Sequence, residues 1–165
     1  MYFTRKRYKC FIANDNSNGQ LVISGKIDHL NNFIDDLKNL RIKNITLPVS
    51  GPFHCELMKK ATVIMESEIN KLEFNNNKNI FISNVTANEM QNTNEIKNLL
   101  IKQIESRVRW RESIIYMIKN GVNHFIEIGP GKVLFGLIKR INKTVIIDAI
   151  NNEEDIKNIK KDDKF

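Results

Sequence analysis

Pro48-Val49-Ser50-Gly51-Pro52-Phe53-His54-Cys55-Glu56-Leu57-Met58 (PVSGPFHCELM) places a single histidine where one backbone pattern gives way to another. Ahead of it, Lys43 to Val49 has the apolar alternation of a strand. Beyond it, Ala61, Ile64, Met65, Ile69 and Leu72 recur at the spacing of one helix face, which predicts a helix from about Leu57. Gly51 and Pro52 mark the break between the two. His54 is the first candidate for chemistry, because an imidazole with a pKa near ~6.5 can take up and return a proton at neutral pH.

Working outward, the N-terminal side reads strand, strand, helix, strand. Cys10-Phe11-Ile12-Ala13 is a short strand, Asn14 to Gly19 is dense in turn formers, and Gln20 to Ser24 is a second strand. Gly25 opens a helix with Ile27, Leu30, Phe33, Ile34, Leu37 and Leu40 at its spacing. The C-terminal side alternates strand and helix, which predicts a parallel sheet. An Asn-rich loop spans 74–79, and Ile80 to Val85 is apolar enough for a buried parallel strand. Asn92, three residues before Glu95, has capping-box spacing for a helix carrying Ile96, Leu99, Leu100 and Ile104. Trp110 to Asn120 is a helix stopped by Gly121. His124 to Ile128 is a strand, Gly129-Pro130-Gly131 a tight turn, Lys132 to Asn142 a helix, and Thr144 to Ile150 a strand. The charged residues 151–165 are expected to fray.

Composition narrows the function classes. The chain has 165 residues, 41% hydrophobic and 27% charged, as in ordinary globular domains. No apolar run approaches the ~20 residues that span a bilayer, and the basic start lacks an apolar h-region, so the expected address is the cytoplasm. Cys10 and Cys55 are too few for a disulfide framework and lack metal-site spacing; no metal site or cofactor is expected. The net charge of +7 favours an acidic partner, yet Ile and Asn are as abundant as Lys, the bias of an AT-rich genome. Without a helix-turn-helix, zinc or RNA-binding signature, nucleic acid is not an expected partner. Gly129-Pro130-Gly131-Lys132 lacks both the spacing and the hydroxyl of a phosphate-binding P-loop.

Four segments together resemble one family. The histidine segment Pro48 to Met58, the run Asn14 to Gly25, Gln103 with Arg107-Val108-Arg109-Trp110, and Glu127 to Leu134 are similar, in order and spacing, to the C-terminal half of bacterial malonyl-CoA:acyl carrier protein transacylases. The resemblance covers roughly residues 8 to 150. It implies the C-terminal part of an α/β-hydrolase-like parallel-sheet domain plus a partial ferredoxin-like α+β lobe. Its divisions are an atypical basic start at 1–9, the small lobe at 10–50, the acyltransferase lobe at 51–150 and a charged tail at 151–165.

The same resemblance implies roles. His54 is the base of a malonyl transfer from malonyl-CoA to the phosphopantetheine thiol of acyl carrier protein, in fatty acid synthesis. Gln103 offers its main-chain carbonyl to hold the imidazole tautomer, the task of aspartate in hydrolase triads. Phe53 crowds an α-methyl group on the acyl chain, while Asn14 and Asn16 present amides toward the cleft; packing and plain turn roles are the alternatives for these three. Arg107, Arg109, Arg111, Lys132, Lys139 and Arg140 are candidates for a surface facing the acidic carrier. The family's nucleophile is a serine in Gly-x-Ser-x-Gly, and none of Ser17, Ser24, Ser50, Ser67, Ser83, Ser106 or Ser113 has that frame. Two expectations follow: a base-bearing half that is inactive unless a separate N-terminal half supplies the serine, or a non-catalytic carrier-binding fragment or remnant.

Overall fold

The computed structural model describes residues 7–75, 78–90 and 92–161. Its elements are β1 (Phe11–Ser17), β2 (Gln20–Ser24), α1 (Ile27–Asn39), a 3-10 turn (Glu56–Met58), α2 (Lys59–Lys71), β3 (Phe81–Ile82), β4 (Glu89–Met90), α3 (Thr93–Gln103), α4 (Trp110–Lys119), β5 (His124–Ile128), α5 (Val133–Ile141), β6 (Ile146–Ile150) and α6 (Glu153–Lys161). The protein is a mixed α/β structure, and its strands pair two by two: β1 with β2 and β3 with β4 antiparallel, β5 with β6 parallel.

The hairpin corrects one expectation. Asn14 to Gly19 is not a long turn; β1 runs on through Ser17, and only Asn18-Gly19 turns, with Gly19 at φ +78°. Of the two turn residues only Gly19 takes a positive φ, which glycine adopts without a Cβ penalty. Along β1 the buried residues alternate as Ala13, Asp15 and Ser17. The polar composition therefore hides a half-buried strand whose carboxylate is satisfied from α4, where Arg111 donates to Asp15 through Nε at 3.0 Å and Nη2 at 2.9 Å. The expected atypical start lies outside the described residues up to position 6. Beyond it, the Tyr8 hydroxyl donates to Asp36 on α1, and its ring lies 5.0 Å from that of Phe33.

A buried apolar cluster lies on the C-terminal side. Ile114, Ile138 and Ile147 form a buried cluster that joins α4, α5 and β6, with Trp110, Met117, Phe125 and Phe135 against it. Gly121 ends α4 at φ +92°, as its sequence position predicts. Asn92 caps α3, its side chain accepting from the amides of Asn94 (2.9 Å) and Glu95 (3.3 Å), the forward half of the expected capping box. Residues 153–161 form a helix rather than fraying. Asn152 accepts from the amides of Glu154 and Asp155, three acidic residues occupy the first turn, and Ile159 is buried.

Elsewhere apolar runs find no cover. Residues 43–49, expected as a strand, pair with no other segment, and Ile45 is 76% exposed. Ile80 to Val85 yields only the two residues of β3, antiparallel to β4, before the chain turns through Asn84 to Thr86. A strand persists only where a neighbour accepts its hydrogen bonds, and no parallel neighbour exists here among the described residues. On α2, Thr62 and Ile69 are buried, whereas Ile64, Met65 and Leu72, expected to face inward, are exposed.

Candidate active site

His54 lies in the loop between the unpaired 43–49 segment and the 3-10 turn, half-buried, with φ +60°. A residue with a Cβ enters that left-handed region at a cost of roughly 1–2 kcal/mol, so the surroundings must hold it there. Three contacts do so. The Ser24 hydroxyl, at the end of β2, donates to the carbonyl of Phe53 at 2.8 Å. The Cys55 thiol donates to the Pro52 carbonyl at 3.1 Å, closing the loop on itself. The His54 ring is tied to α3 through Nδ1, 3.1 Å from the Gln103 carbonyl and 49 positions away in sequence.

The last contact fixes the proton's position. Gln103 is the final residue of α3, where carbonyls lack an intrahelical partner and seek another donor. A carbonyl only accepts, so Nδ1 carries the hydrogen and Nε2 the lone pair. The Gln103 side-chain amide is also near Nδ1, at 3.4 Å, but it can donate instead to the Ser106 carbonyl at 3.5 Å. The shorter carbonyl contact decides the tautomer. The result is an imidazole whose free nitrogen can accept a proton, oriented by a main-chain oxygen as an aspartate orients it in hydrolase triads.

The other expected residues sort differently. Phe53 adjoins the histidine and is 44% exposed. Asn14 and Asn16 lie on β1, where Asn14 bridges to Val108, and neither forms a hydrogen bond to His54 or Gln103. Three of the arginines expected to face a carrier are instead internal struts. Arg111 grips buried Asp15, Arg107 donates to Glu112 at 3.0 Å, and Arg109 pairs with Glu112 and donates to the Thr86 carbonyl at 2.9 Å. The Arg109 hydrogen bond, with help from the charges of Arg109 and Arg107, holds the Glu112 carboxyl below the ordinary range. Lys132, Lys139 and Arg140 remain at the surface. Burial pushes the thiols of both Cys10 and Cys55 up, as suits packed, unreactive sulfur.

Ser24 and Glu127 each hold a junction. Glu127, on β5, accepts from the amides of Leu134 (3.1 Å) and Phe135 (2.8 Å), capping α5 across the Gly129-Pro130-Gly131 turn. Acidic residues near a helix start are a readable signal; nothing local distinguishes Ser24.

A cavity of about 70 Å³ adjoins Gln103, between β3 and α3. It has room for a water or two at about 30 Å³ each, not for an acyl chain. A larger cavity of about 260 Å³, lined by Arg7, Tyr8, Lys9, His29 and Asn32, includes neither His54 nor Gln103. Among the described residues no group of three or more His, Cys, Asp or Glu is placed to hold a metal ion, and no helix is long and apolar enough to cross a membrane.

No protein-family model matches the chain. The malonyl CoA-acyl carrier protein transacylase of Staphylococcus aureus (strain MSSA476) is 42% identical over 146 residues, 88% of this chain and 47% of the relative. The solved malonyl CoA-acyl carrier protein transacylase of Clostridium perfringens superposes with a TM-score of 0.87 at 37% identity, over 93% of this chain and 48% of that one. A malonyl-transacylase solved in complex with a type II PKS acyl-carrier protein superposes with a TM-score of 0.90 at 31% identity, over 98% of this chain and 53% of that one. The chain thus spans about half the length of the curated relatives it matches. By sequence and by fold alike, it is a homologue of the C-terminal half of the malonyl CoA-acyl carrier protein transacylase family.

Proposed function

We propose that the chain is the base-bearing half of a malonyl-CoA:acyl carrier protein transacylase of fatty acid synthesis, acting in the cytoplasm. It is inactive until a Gly-x-Ser-x-Gly segment from outside these 165 residues, such as a separate N-terminal half, joins it. The observation that carries this reading is the 3.1 Å contact from His54 Nδ1 to the Gln103 carbonyl, which leaves Nε2 free as a base. In this mechanism Nε2 takes the serine proton as the hydroxyl attacks the malonyl thioester, and returns it to the departing CoA thiolate. The pantetheine thiol of acyl carrier protein then gives its proton to Nε2 and attacks the malonyl-serine ester; the departing serine oxygen takes that proton back from Nε2 as the acyl group leaves on the carrier.

The finer architecture follows the same reading. The hairpin and α1 support a partial ferredoxin-like lobe over residues 10–50, and the β5–α5–β6 unit supports an α/β-hydrolase-like lobe over 51–150. Residues 1–9 and 151–165 flank them. Exposed Phe53 crowds branched acyl groups, worth only ~1–3 kcal/mol for one methylene. Asn14 and Asn16, opposite the buried face of β1, offer amides toward the cleft.

The test is malonyl transfer by the purified chain, with and without a co-expressed segment carrying the serine. No turnover is expected from the chain alone. In the completed system His54→Ala should cost about 10²- to 10⁴-fold. Gln103→Ala should be mild, because the main-chain carbonyl survives. Turnover by the chain alone contradicts the proposal. The missing Gly-x-Ser-x-Gly frame favours a second reading, a non-catalytic fragment that binds acyl carrier protein. Salt-sensitive carrier binding unaffected by His54→Ala, without transfer in the completed system, would select it.

A further inference from the structure

We propose that Ser24 is a positioning residue for His54, an inference that rests on reading His54 as the base. Ser24 ends β2 and is buried, and its hydroxyl donates to the Phe53 carbonyl at 2.8 Å. That carbonyl belongs to the peptide whose nitrogen is the amide nitrogen of His54. Holding the oxygen therefore fixes the peptide plane from which φ of His54 is measured. The angle is +60°, a region that a residue with a Cβ leaves unless its neighbours prevent it.

The ring is held independently, by the Gln103 carbonyl at the end of α3. Besides the loop's own Cys55–Pro52 contact, His54 is thus held from two other elements, its backbone from β2 and its imidazole from α3. Removing the hydroxyl releases the 53–54 peptide to flip, and His54 relaxes to negative φ. The ring then swings off the Gln103 carbonyl, and the imidazole returns to a mixture of tautomers. The Ser24 hydroxyl bonds to the backbone and not to the ring, so its action runs through the backbone.

The test is ¹⁵N NMR of the histidine ring in the full 165-residue chain, at a pH where imidazole is neutral. The unsubstituted chain is expected to show two widely separated ring-nitrogen resonances for His54, with the proton on Nδ1. Ser24→Ala is expected to narrow that separation while far-UV circular dichroism stays unchanged. Ser24→Thr, which keeps the hydroxyl, should restore it. Should the alanine variant fail to fold, Ser24→Cys offers a weak donor of similar size and the same expected narrowing. An unchanged separation in a folded Ser24→Ala or Ser24→Cys chain overturns the proposal, as does a Ser24→Thr chain that behaves like alanine. In the completed system, Ser24→Ala should lower kcat about two- to tenfold, the range of one net hydrogen bond. Intact NMR behaviour with no malonyl transfer by any variant removes the transacylase reading and leaves the positioning role standing.

Discussion

The β5–α5–β6 unit and the stretch from Ile42 to Leu72 are both rich in isoleucine, leucine and valine, yet only the first builds a buried apolar cluster. In the first, Ile138 and Ile147 are buried against Ile114 of α4 and Leu137 is buried as well, while Ile128, Val133 and Ile146 at its ends stay exposed. In the second, Ile45, Leu47, Val49, Val63, Ile64 and Leu72 are exposed. Periodicity reports that a face must be covered; it does not report that this chain covers it. Contiguous apolar surface of this kind marks an interaction site or an aggregation liability. His54 lies within the second region, tied to α3 rather than to the covered unit.

Substitutions can break this contrast or sharpen it. The largest effect is expected inside the covered region. Ile114 is fully buried, and Ile114→Ala should lower unfolding free energy by about 4 kcal/mol in urea titrations. Next comes the strut between the hairpin and α4. Arg111→Ala strands a nearly inaccessible Asp15 carboxylate and should cost about 2–3 kcal/mol, with little rescue from Arg111→Lys, whose ammonium lacks the two-pronged geometry. A smaller effect depends on pH. Because Glu112 titrates below the usual range when folded, its contribution is complete above the ordinary glutamate value of about 4.3 and is lost as pH falls through the folded-state value. The stability gap between the unsubstituted chain and Glu112→Gln should therefore close on acidification. The smallest effect belongs to the uncovered region, where Ile64→Ala should change stability by less than about 0.5 kcal/mol. A loss as large as that of Ile114→Ala would show that α2 is buried in solution, and the contrast would fall.

The same contrast explains what the sequence made legible. Gly121 and the Asn18-Gly19 turn could be read locally, because positive φ is a property of one or two residues. The pairing of His54 with Gln103 was not local: the two lie 49 positions apart, and only the resemblance of matched segments implied it. Asn14, Asp15 and Asn16 were illegible as a strand, since the partner that makes Asp15 tolerable, Arg111, lies 96 positions away. The arginines pointed to a carrier surface only while their internal carboxylate partners were unseen. Residues 43–49 and 80–85 have strand-like composition, but a strand is a relation between two segments, and composition describes one. Ser24 left no trace because a hydroxyl before a glycine has many ordinary uses.

One consequence of the Glu127 cap reaches beyond stability. The start of a helix commonly welcomes phosphate, since its amides point outward and its dipole favours negative charge. Here that berth is taken by the chain's own anion, whose two oxygens occupy the amides of Leu134 and Phe135. With both amides already satisfied from within, the glycine turn has neither of them left to offer an outside anion.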